Sequence, residues 1–264
     1  MIEPSPAAQG LRVTVLGSSS AIPRPGRACS GYLVEAGGAA IVSDLGSGAL
    51  SNLHRVRAAE DVDAVVISHM HADHFIDVIP MRYALKYGPR THARKVALWL
   101  PPGGAAMLRK LVDAFARESP HDFIGEVFEV GEYDPLGTLR FGDAAVRFAP
   151  TAHYIPTFAF RCDAGAASVA YTADTAPSDD VAALARRAGL FLCEATLLPG
   201  EREDAPRGHL SAFEAGELAE RAEVGRLALT HYPVGVSVEE LRAAAGRAFS
   251  GALSVVDDVD VLQV

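Results

Sequence analysis

Cysteine is scarce in this chain. Cys29, Cys162 and Cys193 are the only three; they cannot all pair with one another and show no C-x-x-C spacing, which points to a reducing compartment. No apolar run approaches the roughly 20 residues of a membrane helix. Met1 to Gly10 lacks the basic start and apolar segment of an export signal. A cytoplasmic protein with no membrane partner is therefore expected. Positive charge is also short, with 24 Lys and Arg against 33 Asp and Glu and a net charge of -9. That balance argues against broad, nonspecific binding to nucleic acid or an anionic membrane. It leaves room for a small anionic substrate, because two divalent ions would add about four positive charges inside one cleft. Apolar residues are not lacking: at 49% of 264 residues they can build a sizeable core.

The stretch around which the chain is organised is Ser68-His69-Met70-His71-Ala72-Asp73-His74, directly after the apolar run Val62 to Ile67. Four side chains able to bind a cation fall within six consecutive positions, in the pattern H-x-H-x-D-H. In an extended turn His69 and His71 point to one side and can grip one ion. Asp73 and His74, where the chain bends into a helix, can turn toward a second.

Leu11 to Leu16 alternates apolar with polar and predicts a half-exposed strand. It ends in Gly17-Ser18-Ser19-Ser20-Ala21-Ile22-Pro23, either an ordinary loop or a cradle of backbone N–H groups for an oxyanion. Gly31 to Ala36 and Ala39 to Asp44 predict a hairpin turned at Gly37-Gly38. Asp44 either caps a helix running to about Arg57 or orients a metal-bound histidine from behind. Helical spacing covers Phe75 to Tyr87 and a stretch from Gly103-Gly104 to about Arg117, with strands at Lys95 to Leu100 and Ile124 to Val130. His54, His92 and His121 have no ligand-type neighbours and read as surface or structural residues.

The second half repeats this logic. Strand Ala145 to Phe148 leads to His153, strand Ser168 to Thr172 to Asp174, strand Leu190 to Cys193 to Glu194, and strand Leu227 to Thr230 to His231. Helices are expected over about Ser178 to Ala188 and Ser237 to Phe249, and Ala252 to Val256 is expected as the closing strand. No linker divides the chain, so residues 1–264 read as one α/β domain of two similar halves meeting near 125–140. Ligands gather at strand ends in such sheets. His69, His71 and His153 with Asp174 would form one site, and Asp73, His74 and His231 with Asp174 a second, with Asp174 bridging through its two oxygens. Water between such ions yields hydroxide near neutral pH. A ligand set of nitrogen and oxygen suits zinc, manganese or iron.

The order His69-x-His71-x-Asp73-His74, His153, Asp174, His231 resembles the metallo-β-lactamase superfamily. The resemblance implies a four-layer αββα sandwich with a dinuclear site, zinc foremost, at one edge of the sheets. β-Lactamases of this fold generally lack the bridging aspartate. Glyoxalase II has it but usually carries glycines where this chain has Phe75-Ile76-Asp77. The match is closer to ribonuclease Z and related phosphodiesterases, through Gly17 to Pro23, Tyr171-Thr172-Ala173-Asp174-Thr175, Cys193-Glu194-Ala195-Thr196 and Gly208-His209-Leu210-Ser211-Ala212-Phe213-Glu214. Ser211 and Glu214 make a capping box, so a helix starts there with His209 just before it. In ribonuclease Z-like enzymes the matching histidine stands beside the metals and stabilises or protonates the leaving oxygen. Homodimers are common among these relatives.

Ribonuclease Z enzymes carry a tRNA-gripping insertion between the motifs matched by His153 and Asp174. Here that interval holds only Phe158 to Arg161, a turn over Asp163 to Ala167, and Ser168 to Thr172. Protein that grips RNA through phosphates also needs a basic surface. Full-length features, including the Cys193-Glu194-Ala195-Thr196 and His209-Leu210-Ser211 segments, also resemble compact bacterial cyclic-nucleotide phosphodiesterases of this fold. The expected activity is metal-dependent hydrolysis of a small phosphodiester such as a 3′,5′-cyclic nucleotide, with Asp73 and His209 as catalytic groups. The alternatives are an RNA 3′-end endonuclease and a non-catalytic metal-dependent sensor.

Overall fold

In the computed structural model, which describes residues 10–90, 94–116, 122–198, 201 and 203–264, the chain builds two sheets in succession. The first contains β1 (Arg12–Gly17), β2 (Gly31–Ala36), β3 (Ala39–Leu45), β4 (Ala64–Val66), β5 (Val96–Leu100) and β6 (Phe128–Glu132). The second contains β7 (Thr138–Phe141), β8 (Ala144–Pro150), β9 (Phe158–Ala164), β10 (Ala167–Tyr171), β11 (Leu190–Glu194), β12 (Arg226–Thr230) and β13 (Ala252–Val255). Helices α1 (Ala49–Val56), α2 (Ala72–Phe75), α3 (Val78–Tyr87) and α4 (Gly104–Asp113) belong to the first half. Helices α5 (Asp179–Ala185), α6 (Ala212–Arg221) and α7 (Val238–Ala245) belong to the second.

Three apolar cores make these elements four layers, αββα. Between the sheets, Val13, Val15, Tyr32, Val34 and Ile41 pack with Val146, Phe160, Val169, Tyr171 and Leu192. Outside the first sheet, Leu33, Val42, Val65 and Leu98 meet Leu53 of α1, Met81 and Leu85 of α3 and Leu108 of α4. Outside the second, Phe191, Cys193, Leu227 and Leu229 meet Val181, Leu218 and Leu241 of α5, α6 and α7. Strands covered on both faces need apolar side chains on both, which is why β4 and β11 read as continuous apolar runs. At about 25 cal/mol per Å2 of apolar area removed from water, these cores are the main stabilising term.

Several expectations change. β1 is buried rather than half-exposed, with only Arg12 exposed. It lies inside the sheet because the chain ends in a further strand, β14 (Val261–Gln263), antiparallel to β1. Ala252 to Val255 therefore forms the edge strand β13 of the second sheet and does not close the chain. The helix expected from Phe75 splits into α2 and α3 around Ile76-Asp77, and Asp77 Oδ2 accepts the N–H of Leu50 at the start of α1. Residues 122–127 form turns, and the strand starts only at Phe128. Helix α4 ends at Asp113, and α7 at Ala245. No helix among the described residues is long and apolar enough to cross a membrane.

Candidate metal centre

Each ligand-type side chain sits where a strand has just ended. β4 delivers Ser68 to His74, β8 delivers His153, β10 delivers Asp174, β11 delivers Glu194 and β12 delivers His231. Asp44 near the end of β3, Ala173 beside Asp174, and His231 itself take positive φ angles of 57°, 51° and 50°. Left-handed backbone at non-glycine residues costs of order 1–3 kcal/mol each and persists where the surroundings impose it. Gly46 admits the backbone of Asp73, since a Cβ there would fall 1.8 Å from the Asp73 carbonyl oxygen.

The ligand atoms form two groups. In the first, His71 Nδ1 lies 3.1 Å from both His69 Nε2 and His153 Nε2, and both of those lie 3.8 Å from Asp174 Oδ2. In the second, His74 Nε2 is 3.3 Å from Asp73 Oδ2 and 3.2 Å from Asp174 Oδ1, and His231 Nε2 is 3.4 and 3.5 Å from the same two oxygens. Tetrahedral ligands around zinc at its usual bond lengths stand about 3.4 Å from one another. All seven residues expected from sequence are therefore brought together, grouped as expected, with one Asp174 oxygen in each group.

Hydrogen bonds fix the imidazoles for this work. Ser68 Oγ donates to Asp44 Oδ2 at 2.8 Å, so the Nδ1–H of His69 donates to Ser68 Oγ at 3.0 Å. His74 Nδ1–H donates to Asp44 Oδ2 at 2.8 Å, and His153 Nδ1–H to the Gly208 carbonyl at 2.9 Å. Thr196 Oγ1 donates to the His231 carbonyl at 3.2 Å, leaving its oxygen to accept the His231 Nδ1–H at 2.8 Å. In all four rings Nε2 is the nitrogen left facing the centre. Partners of this kind set the tautomer of metal-ligating histidines.

The electrostatics agree with this arrangement. Burial lowers the pKa of His69, His71 and His153, keeping these rings neutral and able to ligate. His74 is the exception: burial opposes its charge, but Asp174 and Asp44 outweigh burial and raise it well above the ordinary histidine range. Burial pushes Asp73 and Asp174 upward, and their histidine neighbours outweigh it, so both carboxyls are held below the usual carboxylate range. His74 Nε2 and Asp174 Oδ1 are buried and make no well-directed hydrogen bond among the described residues, although they lie 3.2 Å apart. A buried polar atom without a partner costs about 1–3 kcal/mol. A cation between the two would satisfy both, so the donor set fits divalent metal.

His209 stands at the edge of the centre, its Nδ1 3.0 Å from Glu194 Oε1 and 4.0 Å from Asp174 Oδ2. Burial pulls its pKa down, but the hydrogen bond and charge of Glu194 outweigh burial and raise it to about 9. Glu194 is wholly buried and also accepts the N–H groups of Thr175 and Thr196. The capping box of Ser211 and Glu214 is present at the start of α6.

Of the two readings of Asp44, the orienting one fits. It also accepts the Ser68 N–H and the Tyr171 hydroxyl, and makes no cap to α1. In the Gly17 to Pro23 loop the three serine N–H groups are not free to cradle an anion: Ser18 N–H goes to Asp258 Oδ1, Ser19 N–H to the Ala28 carbonyl and Ser20 N–H to the Tyr232 carbonyl. His54 is exposed on α1, and His92 and His121 lie outside the described residues. Sequence reasoning gave no role to Ser68, Glu194 or Thr196. Glu194 had a usable signal, a carboxylate ending an apolar strand; the hydroxyl partners had none.

The model of the beta-lactamase superfamily domain matches residues 43–232. A probable metallo-hydrolase, YhfI of Bacillus subtilis, is 30% identical over 93% of this chain and 96% of that protein. A ribonuclease Z of Mycobacterium bovis is 31% identical over 96% of this chain and 98% of that protein. The crystal structure of YhfI superposes with a TM-score of 0.87 at 28% identity, covering 97% of this chain and all (100%) of that one. The short form of human tRNase Z shares the fold, with a TM-score of 0.74 at 20% identity over 96% and 99% of the two chains. With its ligand order, its paired sheets and these matches in agreement, the chain belongs to the metallo-β-lactamase superfamily.

Proposed function

We propose that this protein is a hydrolase of small phosphodiesters, acting through two divalent ions, with a 3′,5′-cyclic nucleotide as the favoured substrate. The observation that carries the reading is the division of Asp174, Oδ2 toward His69 and His153 and Oδ1 toward His74 and His231, with His209 beside it. His69, His71, His153 and Asp174 would hold one ion, and Asp73, His74, Asp174 and His231 the other. Ions so placed supply Lewis-acid polarisation of phosphate oxygens and a water acidic enough to ionise near neutral pH.

The chain's own groups then have distinct tasks. His209, kept protonated by Glu194, donates a proton to the departing ester oxygen, a role worth about 10²–10⁴-fold. Asp44 and Ser68 hold His74 and His69 in the ligating tautomer. Asp73 serves chiefly as a ligand. Its depressed pKa makes it a weak proton acceptor. Zinc suits the donor set best, and manganese or iron would be accommodated.

A small substrate is supported by what fills the interval from His153 to Asp174. β9 and β10 form a hairpin in which Ala164 pairs with Ala167 around a turn at Gly165, and no arm projects between them. The net charge of -9 points the same way. The ribonuclease Z likeness over nearly the whole chain favours a second reading, an RNA 3′-end endonuclease. Turnover of 3′,5′-cyclic AMP to AMP by metal-loaded protein, with Asp73→Ala as control, tests the first reading. Cleavage of pre-tRNA without cyclic-nucleotide turnover would replace it by the second.

A further inference from the structure

The Tyr154 ring, beside His153 and His209, is a feature that hydrolysis alone leaves unexplained. It is 49% exposed, yet it is held on several sides. Its hydroxyl donates to Glu203 Oε1 at 2.5 Å, while Glu203 Oε2 accepts the N–H groups of Gly208 at 2.8 Å and His209 at 2.9 Å. The ring rests against Gly208, where an added Cβ would fall 2.5 Å from the ring carbons. Its centroid lies 4.8 Å from that of His153 and 5.8 Å from that of His209. An exposed tyrosine on a free surface is ordinary. This one is immobilised between a histidine of the first ligand group and the histidine placed for the leaving oxygen.

We propose that Tyr154 is a stacking platform for the base of a nucleoside phosphodiester, so that the preferred substrates carry a nucleobase on the sugar attached to the scissile phosphate. The inference rests on the phosphodiesterase reading above and names its substrate class. With phosphate between the ligand groups and an ester oxygen at His209, the sugar directs its base past His209, and Tyr154 is the aromatic surface beside it. Glu203 ties the position of this ring to that of His209, so a stacked base and a correctly placed proton donor occur together. Stacking on one ring accepts any base, because every base has a π-face, so discrimination among bases is expected to be weak.

Calorimetric titration of the zinc-loaded protein with AMP and with ribose 5-phosphate isolates the base, since both ligands carry the same sugar phosphate. AMP is expected to bind roughly 5- to 150-fold more tightly, the range that base–aromatic stacking gives on alanine substitution. Tyr154→Ala should bring the two to within about twofold, and Tyr154→Phe, which keeps the ring, should retain the preference. Equal binding of the two phosphates by the unaltered protein, binding of neither, or an AMP preference that survives Tyr154→Ala would overturn the proposal. If Tyr154→Ala does not fold, Tyr154→Leu, which keeps bulk without a π-face, replaces it with the same expected and overturning results. Turnover of bis(p-nitrophenyl) phosphate beside equal AMP and ribose 5-phosphate binding sinks only this inference; no turnover of any diester sinks the reading beneath it.

Discussion

Asp44 Oδ2 lies 2.8 Å from His74 Nδ1, and both side chains are wholly buried. The same carboxylate receives the Ser68 hydroxyl, and through it governs His69. One residue at the end of β3 thus sets the tautomer of a histidine in each ligand group. A buried carboxylate is costly unless its oxygens are well supplied with donors. Asp44 has four: Ser68 N–H, Ser68 Oγ–H, His74 Nδ1–H and the Tyr171 hydroxyl.

Asp44→Asn should therefore weaken metal binding about 10- to 100-fold, the usual effect of removing an orienting partner behind a ligand. Competition against a chromophoric chelator measures it. Affinity equal to that of the unaltered protein would mean that Asp44 only supports the fold.

His209 gives a prediction in pH. Its acid form is the one that donates, and Glu194 raises its pKa to about 9. Turnover should fall as pH rises through that limb, and cations in the ligand groups would move the limb below about 9. Glu194→Gln should shift the limb to lower pH. His209→Ala should cost about 10²–10⁴-fold in kcat with the metals still bound. In metal-free protein the same raised pKa contributes stability that is complete below about 6.5 and lost as pH rises through about 9. Melting temperature against pH, compared with His209→Ala, checks the sign.

Gly208→Ala should disturb the first ligand group. The new Cβ would fall 2.5 Å from the Tyr154 ring and 2.9 Å from His153 Nδ1. Overpacking of this kind costs about 1–3 kcal/mol. His153 moves in consequence, and metal should be lost first from the group it belongs to, as read by bound metal per chain. Unchanged metal content and melting temperature would contradict the close approach.

The three cysteines are buried and free. Burial raises Cys29 to about 11 and Cys162 to about 12, and lifts Cys193 well above the ordinary thiol range. Thiolate is the reactive form. A thiol reagent at neutral pH should therefore modify the folded protein slowly and all three thiols at once on denaturation. Rapid reaction of one thiol in the native state would show that its strand opens.

The convergence of these seven side chains was legible because ligand-type residues follow apolar strand runs, a pattern that survives without coordinates. The pairing of Asp174 oxygens followed from that placement. β14 was not legible: Val261 to Gln263 is too short to show a period, and only the neighbouring edge of β1 gives it a partner. The burial of β1 was missed for the same reason. Ser68 and Thr196 were not legible either, since a hydroxyl that sets a histidine tautomer looks like any other serine or threonine. Of the two readings of the Gly17 to Pro23 loop the ordinary one fits, because the Ser18, Ser19 and Ser20 N–H groups go to Asp258, Ala28 and Tyr232, and two of these partners lie more than 200 residues along the chain.

The most direct test of the two-ion account is a titration of metal-free protein with zinc or manganese, following hydrolysis of 3′,5′-cyclic AMP at each addition. Activity is predicted to rise until about two equivalents are bound per chain and then to level. Full activity at one equivalent, or metal bound at two equivalents without hydrolysis of any phosphodiester, would contradict it.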